Sequence, residues 1–112
     1  MTTVVELSAL PFASFSRELI GEEHGAGVSL IFVDAPPGAG VSAHRHAYEE
    51  VFVVQDGRAT FTVDAEELEV AAGEILVVPA GVTHAFRNSG AGPLRQVDIH
   101  VSPRFVTEWL ER

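Results

Sequence analysis

Short runs rich in Val, Ile, Phe and Thr return every eight to twelve residues along this chain, and Gly, Pro or Asp stands between them. Such runs are too short and too often interrupted to wind into amphipathic helices. They suit strands that turn one face to a core and reverse direction at each break, which makes an antiparallel sandwich or barrel. The spacing predicts strands at Val4–Leu7, Phe12–Leu19, Val28–Asp34, Val41–His46, Glu50–Gln55, Arg58–Val63, Glu66–Val70, Ile75–Val78, His84–Asn88 and Leu94–Val101. Turn signals sit where this reading needs them: APPGAG after the third run, QDG before the sixth, AAG after Val70 and PAG before His84.

Only the tail reads differently. Ser102 is a capping candidate, Pro103 suits a first helical position, and Phe105, Val106, Trp109 and Leu110 form one apolar stripe. A short C-terminal helix packed on the barrel is expected there, with the stripe as packing and not as a site. With 112 residues and no linker, repeat or low-complexity tract, the chain reads as one all-β domain over residues 1–112.

Composition excludes several chemistries. There is no cysteine, so disulfides, thiolate metal sites and cysteine nucleophiles are absent, and any metal must take nitrogen and oxygen ligands. Sixteen acidic residues against seven basic ones, all Arg, give a net charge of -9, a field that opposes polyphosphates and anionic bilayers. No nucleic acid and no membrane partner is expected. No apolar run approaches a membrane span, and the first residues lack a secretory pattern, so a cytoplasmic location is expected.

Candidate ligands cluster in two segments. In GAGVSAHRHAYEEVFVVQDG, His44 and His46 are two apart and leave the same face of an extended strand. Glu50 shares parity with Tyr48, Phe52 and Val54, whereas Glu49 points the other way, so Glu50 is the predicted ligand. GEILVVPAGVTHAFRN delivers His84 just after a turn, where a barrel can bring it opposite the first three. Three imidazoles and a carboxylate suit one divalent ion of the Mn, Fe, Co, Ni, Cu or Zn group and serve Ca or Mg poorly.

These segments resemble both signature motifs of the cupin superfamily. The first runs Gly38, five residues, His44, one, His46, three, Glu50, six, Gly57; the second runs Gly73, five, Pro79, one, Gly81, two, His84, three, Asn88. Fifteen residues separate Gly57 from Gly73, a short spacing like that of the small microbial members. The resemblance implies a double-stranded β-helix, or jelly-roll, barrel with the metal inside its mouth, and homodimers through the outer strands.

Further residues are candidates for the cavity. In LRQVDIHV one face carries Leu94, Gln96, Asp98 and His100; it is either solvated or it lines the barrel mouth near the ion. In the second case His100 is the candidate acid–base group, and Glu50 is another if it leaves the ion. Phe52 and Phe86 share the ligands' parity in their strands, Phe32 is a third aromatic candidate, and Tyr48 could hydrogen-bond a ligand. His24, in the GEEHGAG loop, is expected in solvent.

Two functions follow. The first is a metal-dependent, dioxygenase-like oxidoreductase acting on a small organic substrate, with a redox-neutral isomerase or decarboxylase as its variant. The second is a small-ligand-binding module without turnover. The sequence shows no DNA-binding segment, which weighs against a self-contained transcription regulator.

Overall fold

The computed structural model describes residues 2–110. Its strands are β1 (Phe12–Ala13), β2 (Ser16–Leu19), β3 (Ser29–Ala35), β4 (Gly40–Arg45), β5 (Glu50–Asp56), β6 (Arg58–Val63), β7 (Glu66–Ala71), β8 (Ile75–Val78), β9 (His84–Asn88), β10 (Leu94–His100) and β11 (Glu108–Trp109). All ladders are antiparallel, in a six-stranded sheet ordered β1-β2-β3-β10-β5-β8 and a five-stranded sheet ordered β11-β4-β9-β6-β7. This is the antiparallel two-sheet architecture that the turn spacing predicts and the jelly roll that the resemblance implies.

Strand alternation builds the interior. Glu50, Phe52 and Val54 are buried on β5 while Val51 and Val53 face outward. Between the sheets lies an apolar core that includes Val33, Val54, Phe61, Val70, Val78 and Leu94. Phe52 and Phe61 meet edge to face at 4.8 Å within it, and burying each such ring contributes about 1.5–3 kcal/mol relative to leaving it in water. Along β10, Leu94, Gln96, Asp98 and His100 are all buried, so that polar face turns inward and is not solvated.

Two local features aim the site. A Cβ on Gly40 would stand 2.0 Å from the Phe86 carbonyl oxygen, so only glycine lets β4 come this close to β9. Next to it the register slips: Val41 faces Phe86 and His44 faces His84, so Ser42 and Ala43 on β4 stand against Ala85 alone on β9. That bulge reverses the strand's parity and turns His44, and with it His46, to the inside.

Three expectations change. Val4–Leu7 is not a strand; the chain forms a 3-10 turn at Leu7–Ala9 instead, and Val4 is 92% exposed with no sheet to join. The run Phe12–Leu19 is two strands, because Ser14 adopts a left-handed φ of 56° and folds them into a hairpin. The C-terminal helix is absent among the described residues. Ser102 Oγ does accept the Arg104 N–H at 3.3 Å, but the chain then extends and Glu108–Trp109 pairs with Arg45 and His44 of β4. The open edge of β4 offers unpaired backbone groups, and the Leu110 N–H reaches the Ala43 carbonyl at 3.1 Å. No helix among the described residues is long and apolar enough to cross a membrane.

Candidate metal centre

His44 comes from β4, Glu50 from the start of β5 and His84 from the start of β9, while His46 lies one residue beyond β4. One potential ligand atom from each of the four falls within 4.8 Å of the others, and all four residues are buried. Glu49, the alternative carboxylate, is exposed.

Backbone carbonyls orient the three imidazoles. His44 Nδ1 lies 2.7 Å from the Ser42 oxygen, His46 Nδ1 2.8 Å from that of Val106, and His84 Nδ1 3.0 Å from that of Val82. A carbonyl only accepts, so each Nδ1 carries the proton and each Nε2 turns a lone pair to the inside. His46 Nε2 and His84 Nε2 both lie 3.1 Å from Glu50 Oε1. Lone pairs this close to a carboxylate repel unless a proton or a cation lies between them. His46 Nε2 is fully buried and, despite its distance, is not aligned as a hydrogen bond to Glu50. The set therefore fits one divalent ion: His44, His46, Glu50 and His84 could hold it.

His100 is oriented the opposite way. Its Nδ1 lies 2.8 Å from the Tyr48 hydroxyl, whose oxygen accepts the Val106 N–H at 3.2 Å and whose proton can be donated to Nδ1. The His100 proton is then on Nε2, 3.0 Å from Glu50 Oε2. It stands beside the ligand set, that nitrogen buried and, like His46 Nε2, not aligned as a hydrogen bond to the carboxylate. Burial alone would raise the Glu50 carboxyl, but the imidazoles of His100, His46 and His84 hold it well below the usual carboxylate range. Burial, with the neighbouring His84 and His46, lowers His44 to about 4 against the opposing Ser42 carbonyl. At His46, burial pulls down, but Glu50 and the Val106 carbonyl outweigh it and raise the group above its ordinary value. Burial and the Glu50 charge push the Tyr48 phenol up, against the Val106 N–H, so it stays protonated at neutral pH.

The centre opens on a cavity of about 190 Å³ between the β2–β3 edge of one sheet and the β4–β11 edge of the other. Phe52, Phe86, Asp98 and His100 line it. Phe32 does not: it lies on the opposite face of β3 from Val33 and meets a shallow outer groove. Tyr48 and Gln96 stand behind the wall and act on His100 and Asp98 respectively. His24 ends a 3-10 turn, half-buried and away from the cavity. Sequence reasoning missed Phe105, Thr107 and Trp109, which line the cavity from the tail. Their alternation at odd positions is the signal of an extended segment with one face inward.

A buried three-histidine, one-glutamate set inside a jelly roll defines a metal-site barrel, and the chain belongs to the cupin family, whose domain model matches residues 31–100. It is 42% identical over 66 residues to an uncharacterised protein of Streptomyces coelicolor, covering 59% of this chain and 61% of that protein. It is 38% identical over 58 residues to an acireductone dioxygenase of Rhodopseudomonas palustris, covering 48% of this chain and 35% of that one. Among solved structures it is similar to Bacillus subtilis oxalate decarboxylase, described with Mn(II) centres, at TM-score 0.78 and 21% identity over 90% of this chain and 29% of that chain. The chain thus matches less than two thirds of the length of each of these proteins.

Two outcomes are expected. Glu50→Ala and His84→Ala each lower retained metal by at least about tenfold in elemental analysis while circular dichroism stays that of a folded barrel, because the apolar core lies outside the set. Unchanged stoichiometry in both variants would refute the ligand set. Metal content measured after dialysis falls as pH drops from about 7 to 5, since imidazole must be neutral to coordinate. His46, raised, is the first to compete for protons, and His44, at about 4, competes only far lower. Full retention at pH 4 contradicts a three-histidine site.

Proposed function

We propose that this chain is a metal-dependent enzyme, a dioxygenase-like oxidoreductase acting on a small organic substrate. The observation that carries this reading is the position of the centre: His44, His46 and Glu50 face a partly open cavity of about 190 Å³, not a packed core. A purely structural metal site would be closed off by protein, whereas chemistry needs room beside the ion for a second molecule. A bound ion supplies Lewis acidity and, if it is Mn, Fe or Cu, a redox partner.

The chain's own residues have separable roles in this reading. His44, His46 and His84 are held by carbonyls and set geometry. Glu50 supplies the negative charge that offsets the cation. His100, with Nε2 at the carboxylate and Nδ1 at Tyr48, is the group placed to move a proton at the cavity wall. Phe52 and Phe86 exclude water from the inner end.

A redox-neutral isomerase or decarboxylase would use the same ligands, and a binding module would use them without turnover. Metal analysis of protein purified without added metal, followed by an oxygen-uptake screen over small enolizable and aromatic compounds, separates the three. Stoichiometric Fe, Mn or Cu with uptake on at least one compound is the expected result. Zinc alone with no uptake overturns the oxidoreductase reading.

The same proposal includes a homodimer, supported by the outer face of the six-stranded sheet. Ile99, Val51 and Val77 form one cross-strand row there and Val97, Val53 and Ile75 the next. Ile75 and Val77 are 63% and 56% exposed, an apolar patch that a second copy would cover. Light scattering should give twice the 12.0 kDa chain mass, and Val77→Glu should halve it. A monomeric wild-type protein would refute the dimer.

A further inference from the structure

The cavity wall carries a buried acid, beyond the centre and its His100 neighbour, that none of the roles above uses. On β10, His100 faces Glu50 and Asp98 faces Phe52, so Asp98 lies one ladder step, about 7 Å, further into the barrel than the carboxylate. Its neighbours on the wall are Val33, Ile31, Phe52 and Phe86. Asp98 is 4% exposed and takes a hydrogen bond at 2.8 Å from Gln96 Nε2, with no Arg bonded to it among the described residues. Gln96 is 1% exposed, and its Oε1 is buried without a partner. A buried acid and amide on an apolar wall, incompletely paired, cost stability and need a compensating role.

We propose that Asp98, positioned by Gln96, is a second polar subsite that hydrogen-bonds the inner end of a small ligand, uncharged at that end, whose outer end lies at the His44, His46, Glu50 and His84 centre. This rests on the metal reading given above. Size follows from the cavity, where about 190 Å³ holds roughly half a dozen water-sized groups. Charge follows from the surroundings. The apolar walls disfavour a second charge, and burial, the larger cause, raises the Asp98 carboxyl well above the usual carboxylate range against the Gln96 amide. A neutral carboxyl donates its proton, so the ligand presents an acceptor: an ether, ketone or amide oxygen. A ligand with a carboxylate at its inner end is rejected.

The test uses probes that share one metal-binding head. Protein loaded with Co(II) is titrated with methoxyacetohydroxamate and with butyrohydroxamate, which has a methylene where the first has an ether oxygen. Binding is read from the Co(II) visible spectrum and by calorimetry. The wild-type protein should prefer the ether by about fivefold or more. Asp98→Asn, which keeps a donor, should retain that preference, and Asp98→Leu should abolish it with Co(II) stoichiometry unchanged. Malonomonohydroxamate, with a carboxylate tail, should bind at least about tenfold more weakly than the ether probe. Equal affinity for ether and methylene probes in metal-loaded wild type overturns the subsite, even if Asp98→Leu fails to fold. A preference that survives in folded Asp98→Leu does the same, and tight binding of the carboxylate probe overturns the charge selection. Failure of the wild type to take up Co(II) is a different result: it removes the metal reading, and this proposal falls with it.

Discussion

A carboxylate 2% exposed inside an apolar barrel is tolerated only if something offsets its charge, and the mouth of this barrel is arranged around that requirement at Glu50. Oε1 faces two imidazoles and Oε2 a third, each at 3.0–3.1 Å. None of these histidines comes from the strand that carries Glu50. They arrive from β9, from β10 and from the residue after β4, so the charge can be compensated only when both sheets are closed. The same convergence that makes the carboxylate tolerable makes a set that could hold a divalent ion.

The interior is divided by chemistry along the barrel. At one end Phe61, Val54, Ala59 and Leu94 are almost fully buried and carry the apolar stabilisation. At the other the inward positions of the same strands turn polar: Val54 and Phe52 give way to Glu50 on β5, and Leu94 gives way to Gln96, Asp98 and His100 on β10. A site built this way sits on rigid ladders and draws little on the packing beneath it.

The tail completes the mouth. Val106 is its pivot, since its carbonyl orients His46 and its N–H holds the Tyr48 hydroxyl that faces His100. Outside, Arg45 grips Glu108 through two hydrogen bonds of 2.9 Å; both side chains are exposed, and such pairs contribute little on their own. The backbone bonds and the inward Phe105, Thr107 and Trp109 are what make this segment part of the cavity.

Much of this was legible in the sequence, and the reason is local. Period-two alternation and turn residues are consequences of backbone geometry, so eight of the strands and the inward parity of Glu50, Phe52 and Phe86 could be read from neighbours in the chain. The motif spacings singled out the four ligands because those spacings are themselves strand parities and turn lengths. What the sequence left open were matters of partnership. Whether the polar face of β10 met water or the interior depended on β3 and β5 flanking it. His44 turns inward through a bulge that exists only against β9. The tail has caps and a stripe that suit a helix, yet it extends, because an open strand edge supplies backbone partners and three imidazoles beneath it need a lid. Local propensity is worth a few tenths of a kcal/mol per residue, and a free sheet edge with a buried face outweighs it.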